Sequence, residues 1–381
     1  MSSCSRIVTA MGESRFVIER MDPSRRTCLA LRCPHCGGML PAHAPLPELG
    51  HYVCFGAPQQ VDERLFIDAL RTMTVILGGL IAGYCLRKSG RVAETWAGPV
   101  NRATLTWIQP TVICLALWAM KRPDARTLAL PIFGIALYVA LWPVGAALSR
   151  LMRLPRADAG PFTTATMFSN VGFTYGTFLA FAALGAEGAA LGSLYCASFM
   201  PGVFTLGFFI GRRHSDSGHD GVLQALAALA KDGQTRNPIL GIIAGLALNI
   251  ADVPKLPESA FIIDIAMPAA TAAFLLAIGL GLRLSSVKTY WRQCLVMHGA
   301  KFILSPVVGL GLAYLFGYWQ AADHDALRVV FIQSAAPVAI LGVMLADVFG
   351  LNRDLAGALW LTTNVTGVLL APAILVIARM L

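Results

Sequence analysis

Apolar runs that approach or reach the length of a lipid bilayer recur along almost the whole chain after residue 64. A membrane-spanning helix needs about 20 predominantly apolar residues. Only 13% of the residues are charged, whereas about 25% is usual for a soluble protein. The sequence therefore predicts an all-α polytopic membrane protein. Its ten predicted transmembrane helices, numbered here as spans 1 to 10, lie near 65–86, 101–120, 127–149, 161–184, 188–211, 237–251, 260–282, 293–317, 326–348 and 354–378.

The formal net charge of +9 is distributed unevenly between the loops. The odd-numbered loops hold fifteen Lys and Arg residues, and the even-numbered loops together with the C-terminus hold six. Basic loops tend to stay in the cytoplasm, so we expect odd loops inside and the C-terminus outside. The expected location is the plasma membrane, the inner membrane in a bacterium. Because topology explains the positive charge, no nucleic-acid partner is expected.

Residues 1–64 form an extension that does not share the apolar pattern. Cys33 and Cys36 are followed by His51 and Cys54, and this spacing is compatible with four zinc ligands. The extension also contains six Arg residues before residue 33, which an outside N-terminus would have to carry across the membrane. The sequence leaves three interpretations open: a zinc knuckle, a disordered extension, or a segment that is not part of the working protein.

The membrane part shows signs of internal duplication. A polar linker, 213–236, which we expect in the cytoplasm, separates 65–212 from 237–381, and "GLIAG" in span 1 returns as "GIIAG" in span 6. Laid on each other without a gap, spans 4–5 and 9–10 match Ser169 to Ser334 and Gly185 to Gly350. Five spans per half would make the halves inverted repeats, which are typical of secondary transporters.

Span 4 carries polar and helix-loosening residues in its apolar surroundings, in the stretch "SNVGFTYG". Span 9 has a comparable set around Pro337. Irregular backbone within a membrane is tolerated where it lines a protein cavity, so we expect helices 4 and 9 to be broken and to cross near the midplane. The half-helix N-termini would then offer free N–H groups to an anion. The alternative is that small residues only allow close helix packing. The predicted binding residues here are Ser169, Asn170, Gly172, Thr174, Gln333, Ser334 and Pro337.

Two further predicted site residues lie outside the broken spans. Lys301 lies well inside span 8, and intramembrane charges are usually functional. It would serve either as the positive partner of a carboxylate or as a lock that neutralises freed carbonyls in the empty site. Asn364 in span 10 faces the crossing if the repeats overlay, together with Thr362, Thr363 and Thr366.

At these residues the sequence resembles the auxin efflux carrier family, within the superfamily of bile-acid, arsenite and riboflavin transporters. The resemblance rests on "SNVGFTYG", "NPILGIIAGLAL", "LAIGLGLRL", "KFILSPVVG" and "SAAPVAILGVMLADVFGLNRDLAGALWLTT". It implies two inverted five-helix repeats and an elevator-type movement against a scaffold of spans 1, 2, 6 and 7. It also implies small organic anion substrates such as malate, malonate or indole-acetate. A homodimer formed through the scaffold helices is compatible with this resemblance. The chain departs from the family pattern at Thr177 and Phe178, where a proline usually follows the glycines.

The sequence contains no G-x-S-x-G motif of hydrolases, no Walker A nucleotide-binding loop and no His-Glu-x-x-His motif of zinc proteases. We therefore expect neither an enzyme nor a cofactor. The predicted function is secondary transport of a small organic anion such as a carboxylate, by efflux or exchange across the lipid bilayer. Two alternatives remain: a sodium-coupled symporter of the bile acid type, and an anion-sensing membrane protein that does not transport.

Overall fold

The computed structural model describes residues 7–11, 14–19, 30–32, 39–40, 58–215, 232–280, 287–321 and 324–381. The chain divides into two compact units, Met1–Ile67 and Asp68–Leu381.

The first unit contains four short antiparallel strands in the order β1–β2–β3–β4: Ile7–Met11, Ser14–Glu19, Ala30–Arg32 and Met39–Leu40. Ile7 lies opposite Ile18, and Leu31 lies opposite both Ile18 and Leu40. The sequence analysis did not predict this sheet; β-branched and aromatic residues in "IVTAM" and "SRFVIE" are its local signal. The candidate zinc ligands Cys33, Cys36, His51 and Cys54 lie outside the described residues.

Helices make up most of the described chain from residue 58 onward. In chain order, α1 to α16 are Pro58–Lys88, Ala97–Ala103, Gln109–Ala119, Ala125–Leu128, Leu130–Leu151, Arg156–Met167, Gly176–Cys196, Phe199–Gly202, Phe208–His214, Gly233–Ile250, Ser259–Leu280, Trp291–Gly299, Ser305–Leu315, Asp325–Ser334, Leu341–Val348 and Arg353–Met380. Short 3₁₀-helices occur at Glu94–Trp96 and Tyr318–Gln320.

Five helical stretches among the described residues are long and apolar enough to cross a membrane. Arg236–Ile250 is apolar but shorter. These helices identify the second unit as the membrane-embedded part of the protein, and its regular structure among the described residues is helical. The five stretches are Leu130–Leu151, Gly176–His214, Ser259–Leu280, Trp291–Leu315 and Arg353–Met380.

Three wide π-helical turns join helices into continuous stretches, at Thr104–Ile108, Val203–Gly207 and Ala300–Leu304. The first and third come just before Pro110 and Pro306. A proline cannot donate to the carbonyl four residues earlier and clashes with it, and a wider turn relieves that conflict. For Pro110 this carbonyl belongs to Thr106, and it accepts a hydrogen bond from Asn237 Nδ2 at 3.0 Å. The backbone group released by the proline is thus satisfied by a neighbouring helix.

Two apolar segments are interrupted by non-helical backbone, at 168–175 between α6 and α7, and at 335–340 between α14 and α15. We call these segments break 1 and break 2. The α7 helix also bends at Gly185, whose φ of 62° is left-handed. This bend lies where the sequence places the boundary between spans 4 and 5. Gly350, which follows α15, also has a positive φ, of 61°.

Aromatic packing holds the start of break 1 in place. The Phe168 side chain is fully buried, and its ring centroid lies 5.0 Å from that of Tyr138 on α5 and 6.1 Å from that of Phe199 on α8. A second buried cluster packs α6 against α12 and α16 through Phe162, Met297 and Leu359. The end of α6, where break 1 begins, is therefore held rigidly by close packing.

Candidate functional site

The two breaks lie side by side and are joined by one isolated antiparallel β-bridge and two backbone hydrogen bonds. Ser169 is the bridge partner of Val338. Asn170 N donates to the Pro337 carbonyl at 2.7 Å, and Ala339 N donates to the Phe168 carbonyl at 3.1 Å. The polar backbone of each interrupted segment is therefore partly satisfied by the other, which is the compensation that non-helical backbone requires inside a membrane.

Break 1 exposes every second residue. Asn170, Gly172 and Thr174 are partly accessible, whereas Val171, Phe173 and Tyr175 are buried. A Cβ atom added at Gly172 would meet no other atom within 4 Å, so open space lies beside this residue. Of the four break 1 residues that the sequence singles out, three thus share the accessible face, whereas Ser169 is buried.

Three consecutive backbone N–H groups on break 1, those of Gly172, Phe173 and Thr174, have no hydrogen-bond partner among the described residues. Unsatisfied amides are rare in folded proteins because each costs free energy when it is removed from water. Successive N–H groups in a turn can form a concave site for an anion. This feature is the most specific chemical property of the break.

An asparagine pair links the accessible face to α16. Asn170 Nδ2 donates to Asn364 Oδ1 at 3.0 Å, and the Thr174 hydroxyl donates to Asn170 Oδ1. Asn364 Nδ2 in turn donates to the carbonyls of Val338 at 2.9 Å and Trp360 at 2.7 Å. Four predicted residues, Asn170, Thr174, Pro337 and Asn364, are therefore brought into one hydrogen-bonded group.

The prediction of free amides at the start of the following half-helix is wrong for its first two residues. Gly176 N donates to the Asn170 carbonyl at 2.9 Å, and Thr177 N donates to the carbonyls of Val171 at 3.1 Å and Gly172 at 3.0 Å. Break 1 folds back so that its own carbonyls accept the first N–H groups of α7. The partnerless donors lie instead within the preceding turn.

Lys301 is fully buried and lies in the π-helical turn between α12 and α13. Its Nζ donates to the Thr166 carbonyl at 3.1 Å and to Ser169 Oγ at 2.8 Å. Within the described part of the chain it forms no ion pair. A positive group at a helix C-terminus is favourable, so in this conformation Lys301 fixes the end of α6 and does not face the open space beside Gly172.

Gln333 and Ser334 lie on the α14 side and are fully buried. Gln333 Nε2 lies 3.4 Å from the Thr177 hydroxyl, and its Oε1 has no hydrogen-bond partner among the described residues. The Ser334 hydroxyl donates to the Phe331 carbonyl at 2.8 Å, and the Ser334 carbonyl accepts from Ser305 at 2.6 Å. Ser334 therefore supports the neighbouring α13 helix and does not join the asparagine group.

Three supporting residues escaped the sequence-based site prediction. Tyr175 donates to the Gly367 carbonyl at 2.7 Å, and Thr271 on α11 donates to the Phe173 carbonyl at 2.8 Å. The Thr166 carbonyl receives Lys301. A hydroxyl in an apolar span, such as that of Thr271, is a weak local signal because most such hydroxyls bond within their own helix.

The accessible face offers N–H donors and polar side chains, and neither break contains a carboxylate. Such a set suits a small anion better than a cation. Comparison with models of known protein families and with curated proteins finds no match to this chain.

Proposed function

We propose that this protein is a secondary transporter that binds a small organic anion, such as a carboxylate, at the paired breaks. The observation that carries the proposal is the run of three N–H groups at Gly172, Phe173 and Thr174 without a partner among the described residues, the first of which belongs to a residue that borders open space. In a site shielded from water, donors of this kind attract a carboxylate more strongly than they would in bulk solvent. Asn170 and Thr174 border the same face.

An inverted duplication would explain why two breaks meet. Both breaks fall at corresponding places when residues are matched at the spacing that relates Ser169 to Ser334. Gly185 and Gly350, related by the same spacing, both have left-handed φ angles, 62° and 61°. These similarities support ten spans in two inverted five-helix repeats and, with the resemblance to auxin efflux carriers, an elevator-type movement with efflux or exchange. The assignment to that family, the homodimer through scaffold helices and the outside C-terminus belong to the same proposal.

One observation favours the sodium-coupled alternative. Gln333 Oε1 is a buried acceptor with no partner among the described residues, and a bound cation would satisfy it. Replacement of sodium by potassium during uptake into proteoliposomes distinguishes the two coupling schemes. Anion binding without any uptake or exchange would instead identify a sensor.

Gly172→Ala provides the sharpest test of the proposed site. The added methyl group enters open space, so we expect unchanged folding but carboxylate affinity reduced by roughly tenfold or more, as for one misplaced methyl group in a binding pocket. Gly311→Ala on α13 is the matched control, because its new Cβ also meets nothing within 4 Å. Thermal-shift titration with mono- and dicarboxylates, followed by uptake in liposomes, measures both effects. If Gly172→Ala binds carboxylates as tightly as the parent protein, the partnerless amides are not the site.

A further inference from the structure

A cleft of about 500 Å³ lies between α5, α6 and the end of α9, and no residue of either break lines it. Its polar lining includes Arg150, Arg213 and His214, and Trp142, Pro143 and Leu154 contribute an apolar wall. The volume is within the range of small-molecule sites. The cleft therefore combines positive charge with apolar surface at the ends of membrane-embedded helices.

Hydrogen bonds fix the basic side of this cleft. Arg156 Nη2 donates to the Arg213 carbonyl at 2.8 Å and thereby ties the start of α6 to the end of α9. His214 Nδ1 lies 2.9 Å from the Ile210 carbonyl, to which it must donate, so its Nε2 stays available. Gly160 allows His214 to approach α6 closely, because a Cβ there would lie 3.0 Å from that of His214.

The positive charge of the cleft is not neutralised by the described protein. The side chains of Arg150 and Arg213 form no ion pair or hydrogen bond within the described ranges, and no Asp or Glu is among the lining residues. Both are exposed. Arginine forms two parallel hydrogen bonds with phosphate, so two arginines that line one cleft without a partner among the described residues supply donors suited to a phosphate group.

We propose that this cleft binds the phosphate group of an anionic phospholipid. The arginines would contact the phosphate, and the apolar wall would follow the glycerol and the first carbons of the acyl chains. Basic pockets between membrane helices favour anionic headgroups, and a tryptophan is typical of the depth where headgroup and acyl chain meet. The site lies on α6, the helix that leads into break 1, so an occupied cleft would hold α5, α6 and α9 together.

The test uses the full-length protein in detergent at 0.5 M salt, a concentration chosen because it screens exposed charges. Its probes are dioctanoyl phosphatidylglycerol, dioctanoyl phosphatidylcholine and inorganic phosphate. The variant R150Q/R213Q is compared with R153Q/R212Q, which removes the same charge from neighbouring arginines that do not line the cleft. We expect R150Q/R213Q to weaken phosphatidylglycerol binding roughly 25-fold, about fivefold for each arginine, and the control pair to have less than a threefold effect.

Three results would overturn the proposal: equal losses in both variants, equal affinity for the two lipids, or inorganic phosphate binding as tightly as phosphatidylglycerol. The third would indicate a site for a soluble phosphate compound. A measurement on the unaltered protein guards against misfolding of the variants. Bound phosphatidylglycerol should protect Arg150 and Arg213 from modification by phenylglyoxal more than it protects Arg153 and Arg212. Equal protection of the two pairs would count against the site.

Discussion

Asn170→Ala should be the most damaging single substitution on the accessible face of break 1. It removes the donor to Asn364 Oδ1 and the acceptor of the Thr174 hydroxyl, and leaves both part-buried partners without these hydrogen bonds. Side-chain hydrogen bonds within membranes average about 0.6 kcal/mol, and an unsatisfied partner costs about 1–3 kcal/mol. The total is about 1–3 kcal/mol if the partners relax in part. The backbone bonds of Asn170 to Pro337 and Gly176 do not depend on its side chain.

The same loss should appear in ligand affinity, because the Asn170 amide retains a second N–H that can donate to a carboxylate. We expect carboxylates to bind about 5- to 150-fold more weakly, which corresponds to about 1–3 kcal/mol. Affinity is measured by thermal-shift titration with carboxylates. Folding is checked by size exclusion, and transport is measured in liposomes.

Asn249→Ala is the matched control for this prediction. Asn249 Nδ2 also makes two hydrogen bonds, to the carbonyls of Trp118 at 3.1 Å and Met120 at 2.8 Å, but it lies on α10 outside the proposed site. This variant should lose thermal stability without losing affinity. If Asn170→Ala folds, binds and transports like the parent protein, the proposed position of the site is refuted.

Three other predictions concern the support of the breaks and the coupling ion. Gly176→Ala places a Cβ 2.0 Å from Gln333 Oε1, so overpacking should destabilise the fold by about 1–3 kcal/mol and lower Tm. The control Gly357→Ala, whose new Cβ meets nothing within 4 Å, should leave Tm unchanged. Equal Tm values for the two variants would contradict the close contact between Gly176 and Gln333. Lys301→Met leaves the Thr166 carbonyl and the Ser169 hydroxyl without their donor, so Tm and carboxylate affinity should fall together, by about 1–3 kcal/mol in stability. Lower affinity at an unchanged Tm would identify Lys301 as a direct counter-charge. Uptake should continue when potassium replaces sodium, since neither break carries a carboxylate; a complete stop would establish sodium coupling.

Local sequence predicted the interruptions well, because their causes are local. Gly172 and Gly176 weaken a helix, and Pro337 removes an N–H group, so the loss of regular hydrogen bonds follows from the residues themselves. The structure has non-helical backbone at 168–175 and 335–340. The left-handed bend at Gly185 is likewise consistent with a glycine between two apolar runs.

Contacts between distant parts of the chain could not be derived in the same way. Asn170 and Asn364 are 194 residues apart, and Lys301 and Ser169 are 132 residues apart. Composition identified Lys301 as unusual but left open whether its ammonium faces a ligand or the protein. That choice depends on the π-helical turn and on the position of the end of α6, which are set by packing.

The way in which the polar groups of break 1 are satisfied indicates where a ligand would be useful. The Phe168 carbonyl receives Ala339 N, the Phe173 carbonyl receives the Thr271 hydroxyl, and the Asn170 carbonyl receives Gly176 N. Acceptors are thus covered by groups from three separate parts of the chain, whereas the three consecutive donors from Gly172 to Thr174 have no such cover. An imbalance of this sign favours a ligand that only accepts hydrogen bonds, as an ionised carboxylate does. The same imbalance would make a cationic ligand unfavourable at Gly172, and this is the physical reason for expecting organic anions at this face.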